Sequence, residues 1–283
     1  MWRSVEVENT KVEQTIGLIG GMSWESTAIY YKEINEIVRR RRGGLASADI
    51  LLRSVNFEDI NALQRAGDWE QAAKRLAKIA RQLVDGGAGC ILICTNTMHL
   101  IADTVAENLG VPLIHIIDVT GAALVTASIK RPLLLATLYT MEQPFYCDRL
   151  RERFDLSPIV PDEKDRSRIH NVIFNELCCG VISDQSRQAF IEIIARGRAR
   201  GADAVILGCT EIGLLIGPED TQLSLFDSAK LHAKAAADFA DGKPPAGAVS
   251  VEPHRGCPTM TADRAPRYSL SSHLQSCAEV EEH

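Results

Sequence analysis

Two short apolar runs, each opened by Gly-Ala and closed by Cys-Thr, constrain this chain more than any other feature. The first reads Gly-Ala-Gly-Cys-Ile-Leu-Ile-Cys-Thr-Asn-Thr-Met-His from Gly87 to His99. The second reads Gly-Ala-Asp-Ala-Val-Ile-Leu-Gly-Cys-Thr-Glu from Gly201 to Glu211. A short unbroken apolar run between a glycine turn and a polar loop reads as a strand buried on both faces, the habit of parallel sheets covered by helices. Its recurrence predicts two similar half-chains, each presenting a thiol, Cys94 or Cys209, at the carboxyl end of a strand.

The rest of the pattern agrees. Thr15 to Ile19 reads as a strand entering the turn Gly20-Gly21. Ser23 to Arg42 carries Ile29, Ile34, Ile37 and Val38 at helical spacing and stops at Gly43-Gly44. Strands are expected over Ile50 to Phe57, Cys90 to Cys94 and Leu113 to Ile117, with helices from Trp69 to Val84 and from Cys94 to about Leu109. The pattern then restarts with a strand at Leu133 to Ala136, a helix at Gln143 to Phe154 and a strand at Ser157 to Val160. Helices at Arg166 to Cys179 and Ser183 to Arg200 follow, then strands at Ala204 to Leu207 and Leu223 to Phe226. Asp227 or Ser228 caps a last helix to Ala240. Cys94 lies about as far after Gly20 as Cys209 lies after Ala136.

Alternating strands and helices predict an α/β fold of two similar lobes, each a mainly parallel sheet flanked by helices, related by a pseudo-twofold with the site between them. The expected division is an N-terminal extension over 1–14, a first lobe over 15–120 plus 225–242, and a second lobe over 121–224. In 243–283, Pro, Ser, Gly and scattered charges replace periodic apolar residues, which predicts a disordered tail.

Bulk properties narrow the partners. At 283 residues with 46% hydrophobic and 24% charged residues the chain has the composition of a soluble globular protein, and its net charge of −6 disfavours nucleic acid and anionic membrane surfaces. No apolar stretch approaches the roughly 20 residues needed to span a bilayer. The polar, mixed-charge N-terminus does not read as a signal peptide, so a cytoplasmic protein is expected. The eight cysteines are expected as reduced thiols rather than a disulfide framework.

Cys94 and Cys209 stand at strand ends and are followed by hydroxyl and polar groups that open the next segment. Free N–H groups at such a helix start favour a thiolate and also hold a substrate carboxylate. Two thiols facing each other across a cleft suit removal of a proton from one side of a carbon and its return on the other. A metal site at Cys90, Cys94 and His99 fails on ligand spacing, so no metal is expected. The turn Gly20-Gly21-Met22-Ser23 presents backbone N–H groups suited to an anion, and Thr137 belongs to its hydroxyl-rich counterpart in the second half. Neither a Walker sequence nor a Gly-x-Gly-x-x-Gly pattern occurs. The arginine run Arg39 to Arg42 is accounted for by cations complementing a helix C-terminus. Arg53, Arg166 and Arg168, near element ends, are candidates to hold a carboxylate by a bidentate fork. His115 is expected to pack.

Ile-Gly-Leu-Ile-Gly-Gly-Met-Ser-Trp-Glu-Ser-Thr (16–27), Cys-Thr-Asn-Thr-Met-His (94–99), Tyr-Thr-Met-Glu-Gln (139–143) and Gly-Cys-Thr-Glu-Ile (208–212) resemble the aspartate/glutamate racemase family, most closely its bacterial broad-specificity amino-acid racemases. The resemblance runs from about Thr15 to Ala240. It implies a cofactor-independent, two-base racemase acting on a small-molecule amino acid, with Cys94 and Cys209 as catalytic acid and base. Met22, Ser23, Thr95, Asn96, Thr97, Thr210 and Glu211 match the surrounding substrate shell. A homodimer is also implied. Two departures concern side-chain specificity: Ala136-Thr137-Leu138 lacks a basic residue frequent in relatives, and Arg168 stands near a position frequently lysine. Alternatives left open are a maleate isomerase or malonate decarboxylase type of reaction and a non-catalytic amino-acid-binding protein.

Overall fold

The computed structural model describes residues 14–244 and the strand Ala248–Val249. The readings of an extension over 1–14 and a tail over 243–283 otherwise fall outside the described residues. The first half runs β1 (Ile16–Gly20), α1 (Trp24–Arg42), β2 (Ile50–Ser54), α2 (Phe57–Ala66), α3 (Trp69–Asp85), β3 (Cys90–Ile93), a 3-10 turn (Thr97–Ile101), α4 (Ala102–Ala106), β4 (Leu113–Ile114) and α5 (Ile116–Thr126). The second runs β5 (Pro132–Leu135), α6 (Leu138–Glu142), α7 (Pro144–Phe154), α8 (Glu163–Asn175), a 3-10 turn (Leu177–Cys179), α9 (Asp184–Ala199), β6 (Ala204–Leu207), α10 (Ile212–Leu215), β7 (Ser224–Asp227), α11 (Ser228–Ala240) and β8 (Ala248–Val249).

Two sheets result. The first has the order β2-β1-β3-β4-β8 and the second β5-β6-β7; every pairing is parallel except the antiparallel pair β4–β8. This is the α/β, two-lobed architecture expected. Alternation along the buried strands feeds two cores of the first lobe. Cys90 and Leu92 face Ile16, Leu18, Tyr30 and Ile34 on the side of α1 and α11, while Ile91 and Ile93 face Leu76, Ala80 and Val105 on the side of α3 and α4. The second lobe has its own core, built on Leu133 to Leu135, Ala204 to Leu207, Tyr146 and Phe190. Each fully buried aliphatic side chain contributes about 1.5–3 kcal/mol.

Side-chain caps start the helices where the sequence places Ser, Asp or Asn. Ser23 accepts from Ser26 N, Asn56 from Glu58 N, Asp68 from Gln71 N, and Asp227 from Ala229 N and Lys230 N. The arginine run does more than complement a helix end. Arg41 and Arg42 reach Asp238 and Asp241 at 2.6–3.0 Å and tie α1 to α11.

Several expectations are corrected. The second strand stops at Ser54, and Phe57 opens α2, which the sequence reading did not contain; Asn56 caps it. The fourth strand keeps only Leu113–Ile114, and Ile116–Thr126 is helix α5, whose apolar, β-branched start mimics a strand because the helix is buried around most of its girth. Ser157 to Val160 is an extended segment bridged in parallel to Leu133 through Ile159 alone. The lobe boundary at 224/225 moves to 227/228, since β7 pairs with β6 in the second sheet and α11 returns to pack on α1 and α5. Within the expected tail, Ala248–Val249 pairs with β4, which would otherwise leave its backbone groups open at the sheet edge. Cys90, Cys94, Cys147, Cys178 and Cys209 are free thiols, whereas Cys179 is disulfide-bonded. No helix among the described residues is long and apolar enough to cross a membrane.

Candidate active site

The carboxyl ends of β1, β3, β5 and β6 converge on one cavity of about 530 Å³, counted with its open side. Met22, Ser23 and Ser26 come from the turn after β1 and the start of α1. Thr95, Asn96 and Thr97 follow β3, Thr137 and Tyr139 follow β5, and Gly208 to Glu211 follow β6. Phe57 and Gln64 of α2, Ile173 and Phe174 of α8, and Cys178 complete the wall. Ligands in parallel sheets bind at this edge because successive loops and helix starts open there. Gly21 makes the first turn possible. It sits at φ 87°, and a Cβ would collide with the Val55 backbone beneath it.

Backbone register decides which residues correspond between the lobes. Ile93 pairs with Ile19 in one sheet as Leu207 pairs with Leu135 in the other. The next amides repeat the relation: Cys94 N donates to Ile19 O at 2.9 Å, and Gly208 N to Leu135 O at 2.7 Å. Cys94 therefore corresponds to Gly208, and Thr95 to Cys209. Accessibility follows suit, with Cys94 and Gly208 buried and Thr95 and Cys209 partly exposed in the cavity. The repeated letters Cys-Thr are one residue out of structural register. Since side chains alternate along a strand, that slip turns Cys94 away from the cleft. Its side chain is fully buried in the core with Leu92, Tyr30 and Ile34, and burial alone pushes its thiol far above the usual range.

Of the other expected site residues, Met22, Ser23, Thr95, Asn96, Thr97, Thr137, Thr210 and Glu211 all line the cavity. Arg53 and Arg168 do not: both side chains are exposed, on β2 and α8. Arg166 donates to Glu142 at 3.0 Å and to the Pro161 carbonyl at 2.9 Å. The sequence singles out neither Phe57 nor Gln64 as a site residue, because α2 is hidden directly after a strand, nor does it single out Cys178.

Glu211 organises the second-lobe wall. Only 3% exposed, its carboxylate accepts from Cys209 Sγ at 2.9 Å, Thr210 Oγ1 at 2.6 Å, Ser23 Oγ at 2.9 Å and, more distantly, Cys178 Sγ at 3.9 Å. Desolvation, then the Glu211 charge and the neighbouring Cys178, push the Cys209 thiol well up, so it rests protonated and donates to Glu211. On the first-lobe wall Asn96 Nδ2 donates to Ser228 Oγ at 3.0 Å, and Ser228 donates to the Leu207 carbonyl at 2.8 Å, joining the two strand-end loops. Asn96 Oδ1 is buried without a hydrogen-bond partner among the described residues, and Asn96 lines the cavity. Thr97, Thr137 and Thr140 form a hydroxyl cluster across the lobes at 3.1–3.3 Å.

His99 fixes the backbone of Thr95. Its Nε2 lies 3.2 Å from Ile116 N, which can only donate, so Nε2 is bare and Nδ1–H donates to the Thr95 carbonyl at 2.8 Å. Burial, then the nearby His232, keep this ring neutral. Among the described residues no group of three or more His, Cys, Asp or Glu side chains is arranged to hold a metal ion.

This geometry offers an ammonium the unpartnered Asn96 oxygen and a carboxylate the threonine hydroxyls, with the Cys209 thiol and the Thr95 hydroxyl lining the same cavity. The chain is similar to several known proteins. A candidate Asp/Glu racemase from Yersinia pestis is 46% identical, with a TM-score of 0.76 over 80% of this chain and 99% of its own. An aspartate racemase homologue from Pyrococcus horikoshii is 33% identical, with a TM-score of 0.72 over 80% of this chain and 99% of its own. The broad specificity amino-acid racemase RacX of Bacillus subtilis is 21% identical over 226 residues, 78% of this chain and 95% of that protein. The profile of the Asp/Glu/Hydantoin racemase family matches residues 19–236, and the chain belongs to that family.

Proposed function

We propose that the protein racemises an amino acid without a cofactor, by proton transfer at the α-carbon between a Cys209–Glu211 pair on one wall and the Thr95 hydroxyl on the other. The observation that carries this reading is the register equivalence of Thr95 and Cys209, which sets two proton-bearing side chains at matching strand ends of one cavity. The two-thiol arrangement expected from the repeated motif is replaced, because Cys94 points into the core.

The chemistry follows from the contacts. The Cys209 proton passes to Glu211 Oε2 over 2.9 Å, leaving a thiolate that takes the α-hydrogen as a proton. The electron pair left on the α-carbon delocalises into the substrate carboxylate, where fixed donors from Thr97 and Thr137 stabilise the added charge. A proton delivered from the Thr95 face to the α-carbon gives the opposite hand; Glu211 then releases the proton it took from Cys209 to solvent through the open side, and solvent reprotonates Thr95, which restores the resting state. Asn96 Oδ1 accepts from the substrate ammonium and fixes which faces the two walls meet.

Incubation of either enantiomer in D₂O without pyridoxal phosphate tests the reading. The expected product carries deuterium at the α-carbon and has inverted configuration. Tight binding of amino acids with no α-exchange contradicts it.

A further inference from the structure

The cavity wall carries one charge and an apolar side. Among the described residues that line it, Glu211 is the one carboxylate, and no lysine, arginine or histidine stands beside it. The nearby cations lie outside the wall, and Arg65, the one that acts on Tyr139, is paired with Glu58. Arg166 is held by Glu142 and the Pro161 carbonyl, and Arg53 and Arg168 lie exposed outside the wall. His170, behind Tyr139, accepts from Leu138 N through Nδ1, and burial lowers its pKa to about 4, so it brings no positive charge at neutral pH. The remaining surface is supplied by Met22, Phe57, Ile173 and Phe174 together with the Gln64 amide.

We propose that this cavity selects amino acids whose side chains are uncharged, with an aliphatic, thioether or amide group, over those with a second carboxylate. The inference rests on the racemase reading above and names the substrate class for it. The α-carboxylate of any amino acid is met by the hydroxyls of Thr97 and Thr137. A side-chain carboxylate has no such counterpart. It enters beside the buried Glu211 anion with no cation to offset either its desolvation or the like-charge repulsion. Cationic side chains are not served either. A carboxylate has about four lone-pair sites, and those of Glu211 already face Ser23, Cys178, Cys209 and Thr210. An uncharged chain instead lies against the apolar wall, and an amide of the right reach meets Gln64.

Matched pairs isolate charge from size: asparagine against aspartate, and glutamine against glutamate, with methionine and lysine added. Solvent-deuterium exchange at the α-carbon by the wild-type protein is the readout. The amide member of each pair is expected to exchange faster by about tenfold or more, with methionine also ahead of both acids and lysine. Aspartate or glutamate matching its amide, or lysine leading the panel, overturns the inference. Failure of every amino acid to exchange overturns the racemase reading instead. Calorimetric titration of the same pairs then still decides this one, with tighter binding of the amides supporting it and tighter binding of the acids overturning it.

Discussion

The Ser23 hydroxyl donates to the Glu211 carboxylate at 2.9 Å across 188 positions of the chain, joining the turn after β1 to the loop after β6. The same oxygen caps α1 by accepting from Ser26 N at 3.2 Å. One side chain thus starts a helix of the first lobe and supports the carboxylate that receives the Cys209 proton in the second. Ser23→Ala removes a donor from a buried carboxylate and a helix cap together. It is expected to lower stability by about 1–3 kcal/mol, read by urea unfolding. Catalytic efficiency is expected to fall while Ser23→Thr restores most of it.

Glu211 holds the Cys209 thiol in its protonated form, so removing the carboxylate charge must lower the thiol pKa. In Glu211→Gln, alkylation of Cys209 by iodoacetamide, followed on its own peptide by mass spectrometry, is expected to begin at lower pH than in the wild type. An unchanged or higher onset contradicts the electrostatic role given to Glu211.

The two walls have separable duties. Thr95→Val keeps the shape and deletes the hydroxyl, so Cys209 still removes and returns a proton on its own face. The expected result is α-deuteration of one enantiomer with retained configuration, and inversion reduced by about a hundredfold or more. Equal loss of exchange and inversion for both enantiomers contradicts the assignment of Thr95 to the opposite face.

Buried neutral histidines set the acid limit of stability. Burial holds His232 down to about 4, and burial with neighbouring His charges holds His99 and His115 well below their usual value. In the unfolded chain each binds a proton near pH 6.5, while the folded chain does not until much lower pH. Their stabilisation is therefore complete above the unfolded value of about 6.5 and is lost as pH falls below it, by up to about 1.4 kcal/mol per unit for each ring. The melting temperature is expected to drop between pH 7 and pH 5. His232→Gln, which keeps partners for Tyr30 and the Ile114 carbonyl, is expected to flatten that slope.

Much of this was legible from residues alone, because buried parallel strands and their loops leave a strong periodic signal. Cys209, Glu211 and the Thr95-Asn96-Thr97 loop came from the repeated runs, and Asp227 was readable as a helix cap. What failed has physical causes. Matching Cys94 to Cys209 aligned identical letters, whereas the lobes are related by hydrogen-bond register, and one residue of slip reverses a strand side chain. Phe57 and Gln64 were hidden because a capped helix begins directly after a strand and shares its apolar residues. Ile116 and Ile117 read as strand because β-branched residues in a buried helix resemble one. Arg53 and Arg168 were chosen for charge near element ends, and charge alone does not fix which way a side chain points.

The central claim is that the working thiol is Cys209, with Cys94 a core residue. Measuring α-hydrogen exchange in D₂O for Cys94→Ala and Cys209→Ala side by side, with circular dichroism to confirm folding, tests it most directly. The account predicts that Cys94→Ala exchanges near the wild-type rate with stability lowered by about 1 kcal/mol, while Cys209→Ala loses exchange by about a thousandfold or more. A folded Cys94→Ala protein that has lost exchange would contradict it.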